Sequence, residues 1–223
     1  MDNFQHPTHQ PAGKKVAILG GNRIPFARSN GQYANVSNSE MLTAALNGLV
    51  ERYNLQDKRL GEVVAGAVIK LSRDINLTRE CVLSTALSPQ TPAYDISQAC
   101  ATGLQAAFAV SNKIALGLID SGIAGGVDTT SDAPLGIGDG LRKALLKLNN
   151  AKTNKDRLQA LLSINPKDLI DAPQNGEPRT KLSMGDHQAI TALEWAITRE
   201  AQDEFTFNSH KNLARAYDEG FFD

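Results

Sequence analysis

The chain has 223 residues, enough to bury a substantial core in one large domain or two small ones. Its 41% hydrophobic and 21% charged residues are ordinary for a globular protein, and no apolar run approaches the ~20 residues that cross a bilayer, which excludes a disordered or transmembrane chain. A formal net charge of −1 argues against a general nucleic-acid binder, and two cysteines cannot build a disulfide framework, so reduced thiols in a reducing compartment are expected.

Residues 1–13 are polar and lack the apolar stretch of a secretory signal, so the expected compartment is the cytoplasm. His6 and His9, without further ligands, read as part of a solvated tail. The run at 15–19 is a short apolar segment ending in Gly20-Gly21, which predicts a buried strand leading into a loop. Ser37 and Glu40 have capping-box spacing, and Met41, Leu42, Ala45, Leu46, Leu49, Val50 and Tyr53 follow at helical spacing. A second strand is predicted at 63–69 and a second helix at 76–87, where Cys81 reads as core filler.

A third strand at 93–98 delivers Cys100 to a helix that begins beside it, and 123–127 reads as a fourth strand. Residues 96–112 carry no formal charge, and Leu104, Ala107, Phe108, Val110 and Ile114 make that helix apolar nearly all round, so it is expected inside the protein. The alternation predicts an α/β protein of layers around a mixed, mostly parallel sheet, with this helix buried at the centre.

Beyond Asp132 the character changes. Pro134, Gly136, Gly138 and Gly140 predict a loop, two leucine-bearing helices follow around 141–148 and 158–162, and three prolines punctuate 165–179. Residues 133–182 therefore read as an inserted loop region. The glycines at 136–140 lack the spacing of a nucleotide-binding loop. The basic residues Arg142, Lys143, Lys147, Lys152, Lys155 and Arg157 read either as a solvated face or as a site for a phosphate-bearing cofactor or an acidic membrane surface. Helical spacing returns with Ile190, Leu193 and Ile197, then Thr198 as an N-cap and a helix from Arg199 to about Asp218, ended by Gly220. The closing Phe221-Phe222-Asp223 is apolar with nothing after it to pack against, which suggests a missing continuation.

Cys100 carries the chemistry. A helix start presents unpaired N–H groups and the positive end of the helix dipole, which favour thiolate over thiol, and a thiolate there could attack a thioester. The other reading is a small buried hydrophobe, as free cysteines often are. His187 and His210 show no metal-ligand spacing and read as structural or exposed.

Four blocks in order resemble the thiolase family. Arg23-Ile24-Pro25-Phe26-Ala27-Arg28 is similar to R-T-P-F-G-R, and the segment from Gln98 through Cys100 to Ala106 to the C-A-S-G-L-Q-A block. Gly125-Gly126-Val127-Asp128-Thr129-Thr130-Ser131-Asp132-Ala133-Pro134 is similar to G-G-x-E-S-M-S-x-A-P, and Met184-Gly185 with Thr198-Arg199-Glu200-Ala201-Gln202-Asp203 to M-G and S-R-E-E-Q-D.

The resemblance implies an acetyl-CoA C-acyltransferase of thiolase-like layered fold, in which Cys100 accepts an acyl group for thiolytic cleavage or Claisen condensation. It implies coenzyme A as substrate, with no tightly bound cofactor and no metal. Ser183 and Met184 would contact it, Met184 at the pantetheine arm, and 133–182 would be the loop region over which it lies. Residues 1–132 and 183–223 would form the N-terminal thiolase domain. The expected partners are acyl-CoA and CoA, a homo-oligomer and a fatty-acid oxidation complex, without nucleic acid or a transmembrane segment. Ser97 stands where many members carry Asn, and Ser183 where many carry His; the Q-A-C variant looks closer to thiolases of fatty-acid oxidation complexes. The resemblance also places the catalytic His and second Cys in a C-terminal half not present in these 223 residues. A non-catalytic binding or assembly module is thus the alternative, and a ketoacyl-synthase-like condensing enzyme a third reading.

Overall fold

The computed structural model describes residues 13–166, 169–171 and 174–222. The tail residues His6 and His9 lie outside them. The chain divides into two compact units, 1–171 and 172–223.

The first unit is built around β1 (Glu62–Ala65), every residue of which is buried. β1 is the middle of a parallel three-stranded sheet, flanked by β2 (Ala93–Asp95) and β3 (Gly122–Ala124). Val63 stands opposite Ala93 and Ile123, and Val64 opposite Tyr94 and Ala124. Strand side chains alternate between faces, so this register sorts the core into two halves. Val63 and Ala65 pack with Leu42, Leu46 and Val50 of α1 (Asn38–Arg52) and with Leu77, Cys81 and Val82 of α2 (Leu77–Leu83). Val64 packs with Ala106 and Val110 of α3 (Thr102–Ala115) on the other side.

Local chemistry sets the helix ends. α1 opens with the expected capping box: Ser37 accepts from the Glu40 N–H, and the Glu40 carboxylate accepts from the Ser37 N–H at 2.9 Å. It closes on Asn54 at φ +51°, a left-handed conformation that asparagine tolerates, with Leu55 N–H donating to Val50 carbonyl oxygen at 2.9 Å. α2 is capped from a distance, because the Asp95 carboxylate at the end of β2 accepts from the N–H groups of Leu77 (3.2 Å) and Thr78 (2.7 Å). Lys70 balances that carboxylate at 3.2 Å.

Three expectations are corrected. The run at 15–19 forms no strand; Ile18 and Leu19 are 93% and 85% exposed. A strand exists only as a ladder, and the hydrogen bonds holding this segment are scattered: Lys14 N–H to Ala115 carbonyl oxygen (3.1 Å), Arg52 guanidinium to Gly21 carbonyl oxygen (2.9 Å). The helix after Cys100 is not enclosed, since it buries only Thr102, Ala106 and Val110 toward the sheet while Leu104 and Phe108 are 59% and 51% exposed. Finally, within 133–182 the two expected helices form, but the glycines expected as a loop do not stay one. β4 (Gly136–Ile137) pairs antiparallel with β5 (Ile170–Asp171), and between them run α4 (Asp139–Asn150) and α5 (Asn154–Leu162), packed on one another. The glycines that read as a loop form β4 and the N-cap of α4, because the partner strand lies some 30 residues on, beyond the range of local patterning.

The second unit holds α6 (Met184–Glu194) and α7 (Arg199–Asp218), neither with a buried residue. Thr198 caps α7 through the Ala201 N–H, and Gly220 at φ +70° ends it, with Phe221 N–H donating to Ala216 carbonyl oxygen at 3.0 Å. Among the described residues no helix is long and apolar enough to cross a membrane.

Candidate active site

After β2 the chain runs beside β1 for one more step, with Ile96 N–H donating to Ala65 carbonyl oxygen at 2.9 Å. It then turns sharply into α3. Ala99 stands at φ +44°, a conformation that costs a non-glycine residue about 1–3 kcal/mol and survives only where surrounding structure enforces it. Thr102 enforces it here. Its hydroxyl donates to Ala99 carbonyl oxygen at 2.7 Å and accepts from Gln98 N–H at 2.8 Å, and the residue is buried. Ala101 and Thr102 N–H groups close the turn onto Gln98 (3.0 Å) and Ala99 (3.1 Å) carbonyl oxygens.

Gly66, just past β1, lies directly beneath this elbow. A Cβ there would sit 1.9 Å from Ile96 carbonyl oxygen and 2.9 Å from Thr102 Cγ2, so no other residue fits. The continuation of β3 closes the other side: Gly125 and Val127 N–H groups each donate at 3.0 Å, to the Val64 and Gly66 carbonyl oxygens, and a Cβ on Gly126 would sit 3.2 Å from that same Gly66 oxygen. The Asp128 carboxylate then accepts from Val68 (3.0 Å) and Ile69 (2.7 Å) N–H groups, tying the loop after β1 to the loop after β3.

The product of this architecture is an exposed thiol. Cys100 sits at the outside of the elbow, one residue before the N-cap of α3. No side chain caps that helix; the Ala101 and Thr102 N–H groups are spent within the turn, and those of Gly103 and Leu104 are the ones left to meet an anion at the helix start. A Cβ on Gly103 would meet nothing within 4 Å, which leaves open space along the same turn. The reading of Cys100 as a buried hydrophobe is thereby set aside. Cys81 is the opposite case: it is fully buried, its sulfur lies 3.5 Å from Ser39 carbonyl oxygen, and burial pushes its pKa up.

Two of the sequence blocks meet in a second feature, a cleft of about 450 Å³ lined by residues 22–29 and 126–131 with Tyr33, Met41, Leu42 and Ala45. Asn30 N–H donates to Ser131 Oγ at 2.9 Å, Thr130 Oγ1 to Ser29 Oγ at 2.8 Å, and the Arg23 guanidinium lies 3.9 Å from the Phe26 ring centroid. Cys100 is not among the lining residues of this cleft.

Ser183 and Met184 belong to the second unit. Ser183 is the N-cap of α6 in a full capping box: its hydroxyl donates to Asp186 Oδ2 at 2.7 Å and its N–H to the same oxygen at 2.8 Å, and these bonds hold the Asp186 carboxyl below its usual range. Met184 follows, 61% exposed. His187 lies near Thr180 Oγ1 (3.3 Å) and Glu177 (3.9 Å), while His210 lies on α7. Among the described residues no group of three His, Cys, Asp or Glu could hold a metal ion.

Sequence reasoning overlooked Thr102, Gly66 and Asp95. A glycine inside an apolar strand-like run signals close backbone approach, and a carboxylate within an otherwise uncharged strand signals a specific partner; both signals were present at Gly66 and Asp95.

Residues 16–223 match the family described as thiolase, N-terminal domain. The chain is 37% identical over 209 residues to a 3-ketoacyl-CoA thiolase of Pectobacterium carotovorum, covering 93% of this chain and 48% of that protein. A 3-ketoacyl-CoA thiolase of Vibrio cholerae is likewise 37% identical, over 210 residues and 94% of this chain. The crystal structure of the Bacillus anthracis acetyl-CoA acetyltransferase shares the fold at a TM-score of 0.76 and 23% identity, covering 95% of this chain and 50% of that one. The chain thus spans about half the length of the curated relatives it matches. By its match to that domain over nearly all of its length, the chain belongs to the thiolase family.

Proposed function

We propose that this chain supplies the nucleophile half of a thiolase, with Cys100 as the residue that accepts the acyl group. The observation that supports it is the contrast between an exposed thiol at an uncapped helix start and a second cysteine sealed in the core. In the thiolytic direction the Cys100 sulfur attacks the 3-keto carbon of a 3-ketoacyl-CoA, the C2–C3 bond breaks, and its electron pair takes up a proton to leave acetyl-CoA. The acyl group on sulfur then passes to the thiol of a second coenzyme A, which gives up its proton as Cys100 is released. Claisen condensation is the reverse. Both directions need a base and oxyanion donors; a missing base typically costs about 10²–10⁴-fold.

Coenzyme A enters as substrate rather than as a resident cofactor. In this reading residues 1–132 and 183–223 act as the N-terminal domain, 133–182 is the region coenzyme A lies over, and Met184 touches the pantetheine arm. Ser183 then contributes by fixing the start of α6 under Met184 through its capping box. A cytoplasmic homo-oligomer serving fatty-acid oxidation completes the reading.

Incubation with iodoacetamide or an acyl-CoA, followed by peptide mass spectrometry, is expected to modify Cys100 well before Cys81; the reverse order would overturn the assignment. The second reading is a binding or assembly module without turnover. Acetoacetyl-CoA cleavage by residues 1–223 that Cys100→Ser abolishes would remove it.

A further inference from the structure

The loop that follows β1 is fastened at each residue from Gly66 to Lys70. Gly66 carbonyl oxygen accepts from Val127 N–H at 3.0 Å, and Ala67, 1% exposed, packs into the core with α1 and α2. The Asp128 carboxylate accepts from the next two N–H groups, Val68 at 3.0 Å and Ile69 at 2.7 Å. Asn38 Nδ2 on α1 donates to Ile69 carbonyl oxygen at 2.7 Å, and Lys70 reaches Asp95 on β2 at 3.2 Å.

This loop is the floor of the turn that presents Cys100, because Gly66 lies against Ile96 carbonyl oxygen and Thr102 Cγ2. Among the groups that fasten it, Asp128 differs from Asn38 and Lys70 in holding two consecutive backbone N–H groups, and hydrogen bonds to a charged acceptor are the stronger kind. Both of its oxygens are engaged, since Val68 N–H also lies 3.1 Å from Oδ2. Its neighbour Val127 holds Gly66, so two adjacent residues of the segment after β3 fix both parts of the floor. Asp128 itself is exposed, and replacing it opens no void in the core.

We propose that Asp128 is a positioning residue for Cys100: by holding Val68 and Ile69 it fixes the floor under the elbow, and with it the place of the thiol against the start of α3. That role rests on Cys100 being the acyl acceptor. A role through charge alone has the opposite sign. A carboxylate near a thiol disfavours the thiolate, so removing its charge would speed attack by the sulfur, whereas loss of support would slow it.

The test is the rate of Cys100 alkylation by iodoacetamide in the full 223-residue chain, read by peptide mass spectrometry, with a urea melt to confirm that each variant is folded. Asp128→Ala is expected to slow Cys100 by about threefold to tenfold, the worth of one or two lost hydrogen bonds. Asp128→Glu returns a carboxylate and should recover most of that rate. Leu46→Ala weakens the core under α1 without touching the loop's hydrogen bonds, and should leave Cys100 at the wild-type rate in the folded protein. Should Asp128→Ala fail to fold, Asp128→Asn probes the same contact by setting an NH2 group against Val68 N–H, and the same slowing is expected. A wild-type or faster rate without the carboxylate overturns the proposal. So does an equal slowing in Leu46→Ala, or a slowing that Asp128→Glu does not recover. None of these outcomes bears on the acyl-acceptor reading, which fails instead if the wild-type chain is alkylated at Cys81 before Cys100.

Discussion

α1 and α6 begin with the same device and end in different circumstances. Each opens on a serine capping box, Ser37 with Glu40 and Ser183 with Asp186, yet α1 buries Asn38, Met41, Leu42, Leu46 and Val50 while α6 buries nothing. Capping is satisfied by residues three apart and works wherever the helix lies, whereas burial needs a partner layer. In the first unit that layer is β1; within the second, α6 and α7 have no sheet to cover. The lesson extends to the two cysteines, of which Cys81 on α2 lies in the core cluster with β1 and Cys100 stands beyond the end of β2.

The largest expected effect comes from the buried layer. Leu77→Ala removes a fully buried side chain and should cost about 2–5 kcal/mol in a urea melt, whereas Leu193→Ala on α6, 82% exposed, should stay within about 0.5 kcal/mol. Equal costs would break the contrast between the units. The chain's single tryptophan, Trp195, closes α6 and gives a fluorescence signal for the second unit alone, so the melt can be read in both.

Next in size is the support beneath the elbow. Gly66→Ala forces a Cβ into Ile96 carbonyl oxygen and should destabilise the first unit by about 1–3 kcal/mol, and slow Cys100 alkylation while leaving the Trp195 signal unchanged. Thr102→Val keeps the shape but strips both hydrogen bonds from the turn, at about 1–3 kcal/mol, and Thr102→Ser should restore most of the loss. A Thr102→Val protein with wild-type melting and Cys100 reactivity would show that Ala99 holds its conformation by other means.

The caps themselves sharpen the comparison at smaller scale. Ser37→Ala and Ser183→Ala should each cost about 1 kcal/mol of helix stability, the first seen in the global melt and the second as faster amide exchange confined to α6. The smallest effect is one of pH. Hydrogen bonds from Ser37 hold the Glu40 carboxyl below the usual glutamate range, and those from Ser183 do the same for Asp186. A carboxylate with a depressed folded pKa stabilises above its unfolded value and loses that contribution as pH falls through the folded one. Acid titration to below pH 4 should therefore loosen both helix starts, with Glu40→Gln and Asp186→Asn variants showing a flatter acid limb in amide exchange.

What the residues themselves declared was local. The capping box at Ser37, the Thr198 cap, the Gly220 terminator and the alternation of apolar runs place α1, α7 and the strands of the sheet to within a few residues, and the four ordered blocks announce the family. Cys100 at a strand-to-helix junction was equally legible, because the change from strand-like spacing to a small-residue helix occurs at that point in the chain. The strand expected at 15–19 and the enclosed helix expected after Cys100 went the other way, since both depend on what lies alongside: an apolar run becomes a strand, and an apolar face becomes core, only when another element covers it. Tertiary structure alone decided that Gly66 lies under the elbow, that Asp95 caps a helix 17 residues before it, and that one cysteine is sealed while the other is open. The reason is that backbone propensity and capping act over three or four neighbours, while exposure and close approach are set by distant segments that meet only when the chain folds.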